Sequence, residues 1–169
     1  WPLDYVELDA HDESRSVLAA VVSPKQVQQI HDVCAASDLK TRCLVLRPFA
    51  AVSLLQRSDS IDVFRGSLIV DLLPDGVDLT AVSQGHVVFM RSVRLPAQGD
   101  APSQARALVG ELRRTIGAAQ NQMGGGRIEQ IIICGGESQH EVLRQTVSES
   151  LPLDVISFDP FESIRVARR

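Results

Sequence analysis

The stretch Gly66–Leu95, GSLIVDLLPDGVDLTAVSQGHVVFMRSVRL, reads as three strands joined by two tight turns. The strands are Gly66–Leu72, Val77–Ser83 and His86–Leu95. Pro74-Asp75-Gly76 and Gln84-Gly85 supply the turn chemistry, proline presetting φ and glycine admitting positive φ. The middle strand alternates Val77, Leu79 and Ala81 against Asp78, Thr80 and Val82, as a strand with one strongly apolar face does. Asp71 stands at the end of the first strand. Further on, Ala97–Ser103 reads as a loop. Ala105, Leu108, Val109, Leu112, Ile116 and Ala119 then form a stripe at helical spacing, which predicts a helix over 104–122. Glycines at 124–126 end it. A very apolar strand, Ile128–Cys134, is followed by Gly135-Gly136. Ser138 and Glu141 have capping-box spacing for a helix reaching Ser150, and Leu153–Phe158 is a last strand. The order β-β-β-α-β-α-β, with two hairpins before the helical crossovers, predicts a mixed α/β sheet.

Upstream the pattern differs. Leu3–Asp9 reads as a strand, His11–Ser14 as a polar turn, and Ser16–Val22 as an apolar strand covered on both faces. Ser23, Pro24 and Gln26 have the spacing of a capping box, opening a helix striped by Val27, Ile30, Cys34 and Ala35, with Leu39 closing its far end. Thr41–Leu46 reads as a third strand. The division expected is a small strand–strand–helix–strand α+β subdomain over 1–47, a short apolar helix and polar linker over 48–65, and the β-β-β-α-β-α-β lobe over 66–169.

Bulk properties narrow the function classes. At 169 residues the chain can bury roughly 70% of its unfolded surface and needs no disulfide or metal staple. A formal net charge of -4 gives no attraction to nucleic acid or anionic lipid. The one basic cluster, Arg165, Arg168 and Arg169, reads as a solvated tail. Cys34, Cys43 and Cys134 have no metal-ligand spacing and sit in apolar stretches, as free thiols of a reducing compartment do. His11, His31, His86 and His140 fall on separate elements without ligand partners. No apolar run approaches the ~20 residues that span a bilayer. The start at Trp1-Pro2 points to a piece of a longer chain.

Several segments together resemble one family. They are Leu18-Ala19-Ala20-Val21-Val22 with the helix after Pro24, Leu46-Arg47-Pro48-Phe49-Ala50, Glu111-Leu112-Arg113-Arg114 through Gln120 and Gln122, Ile132-Ile133-Cys134-Gly135-Gly136 with Ser138, and Phe158-Asp159-Pro160-Phe161. In order and spacing they are similar to the actin-like ATPase superfamily, in the branch that holds pilus assembly (PilM-type), competence and FtsA-type cell-division proteins. The resemblance implies an actin-like (ribonuclease H-like) lobe plus most of an inserted subdomain. The other lobe, with a first phosphate loop, is expected upstream of Trp1, and a closing helix beyond Arg169. It also implies a cytoplasmic protein peripheral to the inner membrane. Its partners would be the cytoplasmic tail of a membrane protein and further copies of itself, with contacts made by residues 3–46, and no nucleic acid.

By the same resemblance, Asp71, Gly135, Gly136 and Glu137 occupy the positions of a nucleotide site. The family wraps ATP phosphates and magnesium with an Asp-x-Gly turn, because backbone N–H groups must approach phosphate closely. Here Leu73 stands where the glycine belongs and Pro74 removes a donor. Asp71 also reads simply as the end of a strand, and Gly135-Gly136 as a tight strand-to-helix turn. The expectation is therefore a scaffold or assembly domain with a degenerate site, not an enzyme, and no cofactor in this fragment. An ATP-binding, magnesium-dependent ATPase in the full-length chain is the alternative. A ribonuclease H-like metal-dependent nuclease is a second alternative. It needs Asp71, Asp78 and Glu111 to converge on metal ions, with no acid available at Cys134-Gly135.

Overall fold

The computed structural model describes residues 1–11, 14–58, 61–62, 64–74, 76–95, 101–123, 125–134 and 137–159, with backbone alone at 8–11, 14–16, 101 and 137–140. The chain separates into two compact units, Trp1–Arg47 and Pro48–Arg169.

In the first unit, β1 (Leu3–His11) and β2 (Ser14–Val21) form an antiparallel hairpin with Leu3 opposite Val21 and a bulge between Glu7 and Asp9. The connecting residues 12–13, where the sequence suggests a polar turn, lie outside the described residues. The apolar run of β2 predicts cover on both faces, yet Val17 and Val21 are 49% and 55% exposed. Among the described residues no third strand extends the pair, and α1 (Pro24–Ala36) buries no residue. Ser23 is the N-cap of α1 but its hydroxyl makes no capping bond. Its carbonyl instead accepts from the amides of Gln26 (3.0 Å) and Val27 (3.2 Å), so the capping box fails here. The helix stops short of Leu39. Asp38 takes φ 54°, and the Leu39 amide donates to the Cys34 carbonyl at 2.8 Å while that of Asp38 donates to Ala35 at 3.1 Å, the bonding pattern of a left-handed helix stop. Thr41–Leu46 is not a third strand: it belongs to neither sheet, and Leu44 and Val45 are exposed. β-branched and apolar residues favour extended backbone, but a strand forms only where the segment is bonded into a ladder, and 41–46 pairs with neither β1 nor β2.

The second unit is built on a five-stranded sheet of order β5-β4-β3-β6-β7. The strands are β3 (Ser67–Leu73), β4 (Gly76–Ser83), β5 (His86–Val93), β6 (Gln130–Cys134) and β7 (Asp154–Phe158). β3, β4 and β5 are an antiparallel meander, and β6 and β7 join parallel to β3. The crossover helices are α3 (Ala101–Gln122) and α4 (Glu137–Ser150). The α3 helix begins three residues before its apolar stripe suggests, because Pro102 is tolerated in a first turn, where its missing N–H has no intrahelical acceptor.

One sheet face, with Leu68, Val70, Leu79, Ile131 and Ile133, packs with Leu108 and Leu112 of α3 and Leu143 and Val147 of α4 into the main core. On the other face Ile69, Thr80, Val82 and Ile132 are buried, as are Val52 and Leu55 of α2 (Arg47–Leu55) and Ile61 beyond it. The polar stretch after α2 is fastened to the sheet by hydrogen bonds. Gln130 Nε2 donates to the Asp62 carbonyl (2.8 Å) and to Ser67 Oγ (2.7 Å), and Ser67 Oγ donates to the Arg65 carbonyl (2.8 Å).

The turn between β4 and β5 carries positive φ at both central residues, Gln84 (51°) and Gly85 (79°), as a two-residue hairpin with right-handed twist requires. Glycine accepts this without strain and glutamine does not. Gln84→Asn is expected to raise stability by about 0.5–1 kcal/mol. The check is a higher urea midpoint at unchanged slope.

Candidate functional site

The carboxyl ends of β3, β6 and β7 lie on one side of the sheet, where β4 starts and β5 finishes. In open α/β sheets this is the side on which ligands bind. Asp71 lies opposite Asp78 on β4 and opposite Cys134 on β6; Asp78 is opposite Ser92, and Cys134 opposite Phe158. Residues opposite one another share a face, so Ser92, Asp78, Asp71, Cys134 and Phe158 form a row across the sheet. The side chains of β3 alternate, which puts this row on the face turned away from α3 and α4. Asp71 and Asp78 are half-buried, and Cys134 is buried. Ser92 Oγ donates to Asp78 Oδ1 at 2.5 Å. Two carboxylates directly opposite one another repel, and the Ser92 hydroxyl offsets part of that.

Asp71 does not end its strand. Leu72 and Leu73 continue to pair, with Val77 and Gly76, and the β3–β4 connection is the two residues Pro74 and Asp75. Asp75 lies outside the described residues. Gly76 has a structural reason of its own: a Cβ there would stand 2.5 Å from the Val93 carbonyl oxygen, so the glycine admits the end of β5.

Gly135 and Gly136 lie outside the described residues. They link β6, ending at Cys134, to α4, starting at Glu137, and of the Glu137 side chain nothing is described. Because α4 starts at Glu137, Ser138 falls inside the first turn rather than at the cap. Its expected capping partner Glu141 is engaged with Arg144 Nη2 at 2.9 Å, an interaction that holds the Glu141 carboxyl below its ordinary pKa.

Glu111 is brought nowhere near this row. On α3 its carboxylate accepts from Arg91 Nη2 at 2.8 Å and from Arg114. Arg91 is opposite Leu79, on the core face, so Glu111 and Asp71 lie on opposite faces of the sheet. No group of three or more His, Cys, Asp or Glu that could hold a metal ion occurs among the described residues. The convergence of Asp71, Asp78 and Glu111 that a two-metal nuclease needs is therefore not formed. The row members that sequence reasoning left out are Ser92 and Phe158. Counting register outward from the β4–β5 turn sets Arg91 opposite Asp78; the irregularity between Ala81 and Val82 shifts β5 by one residue and brings Ser92 there instead.

The chain matches no protein-family model and no curated protein. Among solved structures it is similar to a chain of a PilM-PilN type IV pilus biogenesis complex, with TM-score 0.75 and 18% identity over 96% of this chain and 57% of that one. Two weaker likenesses are to a ROK hexokinase from Thermus thermophilus (TM-score 0.44, 19% identity, 55% of this chain and 33% of that one) and to a Bacteroides thetaiotaomicron protein of unknown function with an actin-like ATPase fold (TM-score 0.42, 12% identity, 66% and 38%). The chain thus shares the fold of that pilus-complex chain and spans little more than half of its length. No helix among the described residues is long and apolar enough to cross a membrane.

Proposed function

We propose that this chain is a scaffold domain with a degenerate nucleotide site, working on the cytoplasmic side of an inner-membrane assembly of the pilus or secretion type. The observation that carries the reading is the β3–β4 hairpin. Leu73 is strand-paired with Gly76, Pro74 follows it without an N–H, and Gly76 is occupied by the approach of β5. A phosphate needs converging backbone N–H groups in a concavity, and this turn supports a strand-paired ribbon instead. Asp78 adds a second carboxylate beside Asp71, which is unfavourable to an unscreened phosphate. The likeness to a chain of a PilM-PilN complex supports a protein partner. In the first unit, Leu3, Tyr5, Val17 and Val21 stand exposed on one face of the hairpin, the kind of apolar surface that protein partners cover. The partner proposed for that face is the cytoplasmic tail of a membrane protein.

Asp71, kept at the ligand-binding side of the sheet, favours the second reading, ATP binding in a full-length protein. Calorimetric titration of Mg-ATP separates the two. No heat of binding is expected, from this chain or from the full-length protein; micromolar binding with slow turnover by the full-length protein would sink the scaffold reading. The partner is tested by fluorescence anisotropy with labelled peptides copying the cytoplasmic tails of membrane proteins from such an assembly. Saturable binding that Tyr5→Asp abolishes is expected. Binding indifferent to that substitution removes the hairpin face from the proposal.

A further inference from the structure

The entry to β3 meets the entry to β6 with almost no space between them: a Cβ added at Gly66 would stand 1.8 Å from the Arg127 carbonyl oxygen. The end of the Met123 side chain, just past the last residue of α3, lies at the same place. Its Cε is 3.4 Å from the position of that added Cβ and 3.1 Å from one added at Gly126. The Gly126 amide donates to the Met123 carbonyl at 2.9 Å, which turns the chain back after the helix. Two glycines therefore leave room for one methyl group between the starts of two paired strands. Met123 is half-buried and packs against the main core, so a small solute reaches the residue while part of it stays among apolar groups. Met90, the other of the two methionines, lies opposite Thr80, on the sheet face away from α3 and α4.

We infer that Met123 is an oxidation site through which a peroxide loosens the β3–β6 seam. The thioether sulfur attacks one oxygen of hydrogen peroxide with a lone pair. An S–O bond forms, the O–O bond breaks, and the second oxygen leaves as water with the proton of the first. The sulfur loses two electrons and the peroxide gains them. The product, a sulfoxide, is polar and bulkier than the thioether and disrupts apolar packing. At Met123 the packing has little to give. The methyl group is flanked by the main chain of Gly66 and Gly126, which has no rotamer to change. Gly66 in turn holds β6, since its carbonyl accepts from the amides of Glu129 and Gln130. From there the ladder runs from Ser67 opposite Gln130 to Asp71 opposite Cys134, so a seam loosened at its entry weakens the pairing of the two strands that carry Asp71 and Cys134. Sulfoxide reductases reverse this oxidation, which makes the change a switch and not only damage. The inference stands apart from both the scaffold and the ATP-binding readings.

The test treats the folded chain with hydrogen peroxide, then with dithiothreitol to return oxidised thiols of Cys34, Cys43 and Cys134 to the reduced state. Peptide mass spectrometry follows the added oxygen at Met123 and Met90, and urea unfolding followed by circular dichroism reads stability. Oxidation of Met123 in the folded protein is expected to lower the urea midpoint, with a rise of about tenfold or more in the unfolding equilibrium constant. A methionine sulfoxide reductase is expected to restore the midpoint. Met123→Leu and Met90→Leu keep side-chain volume nearly constant, so both fold, which matching circular dichroism checks. Met90→Leu is expected to respond to peroxide as wild type does, and Met123→Leu to lose the response. Three results each overturn the inference: Met123 that takes up oxygen only once urea has unfolded the chain, a midpoint unchanged when Met123 is fully oxidised, or a Met123→Leu protein that loses as much stability to peroxide as wild type.

Discussion

Gly66→Ala is expected to cost about 3 kcal/mol or more, enough to unfold much of the second unit at moderate temperature. The reason is space and not backbone conformation. A Cβ at Gly66 would stand 1.8 Å from the Arg127 carbonyl oxygen and 2.9 Å from its carbon. Both are main-chain atoms, so no rotamer change relieves the clash. The neighbouring backbone cannot withdraw freely either, since the Gly66 carbonyl accepts from the amides of Glu129 (2.7 Å) and Gln130 (3.3 Å). Relief means parting the start of β3 from the entry to β6, at the middle of the sheet. Urea unfolding followed by circular dichroism measures the loss. Gly117→Ala is the control: an added Cβ there has nothing within 4 Å, and alanine in a helix is expected to gain about 0.5–1 kcal/mol. If both substitutions prove mild, the close approach at Gly66 is not a constraint.

Gln130→Glu is expected to cost about 2–4 kcal/mol at neutral pH and to make stability strongly pH-dependent. Gln130 is 1% exposed, and its amide nitrogen serves two acceptors, the Asp62 carbonyl and Ser67 Oγ. A carboxylate has no hydrogen to donate. It would face the Asp62 carbonyl oxygen as like charge to partial charge, out of water. Burial raises the pKa of such an acid above its unfolded value. The unfolded state then binds fewer protons than the folded state between the two pKa values, so stability falls as pH rises through that window and recovers on acidification. Gln130→Leu also loses both donations, at a cost of about 1–3 kcal/mol, but without the pH dependence. Denaturation midpoints measured from acid to neutral pH distinguish the two variants. A flat profile for Gln130→Glu would show that the side chain reaches solvent.

Both positions bear on how far the fold could be read from sequence. The meander β3-β4-β5 and the alternation after it were legible because turn residues mark the two hairpins and α3 carries an unbroken stripe from Ala105 to Ala119, but the one-residue shift of β5 between Ala81 and Val82 has no local signal. What lies between distant elements was not. Nothing local to Gly66 says that the Arg127 carbonyl will press against it, and Gln130 reads as the polar start of an apolar strand until Asp62 and Ser67 are brought to it. The site suffered in the same way. Asp71 reads as a strand end because Pro74 is so near, whereas Leu72 and Leu73 keep pairing up to the turn itself. The first unit misled for a different reason. Its apolar runs at 17–22 and 41–46 carry the signal of buried strands, but a composition signal reports a tendency to be covered and does not name the cover. Ser23 shows the limit of a capping motif: the spacing to Gln26 was right, and the first-turn amides were taken by a backbone carbonyl.

The position of β3 has a consequence for the order in which the sheet assembles. Its antiparallel partner follows immediately, so Leu73 meets Gly76 across two residues, while its parallel partner arrives only at Gln130, opposite Ser67. Loop closure grows costlier with length, and long-range pairing is the slow part of folding. The meander is therefore expected to form early and wait as a template, with the α3 crossover delivering β6 late. Substitutions within the Pro74 or Gln84 turns should alter the folding rate, and those at the β3–β6 seam, Gly66 and Gln130 among them, should act chiefly on the rate of unfolding.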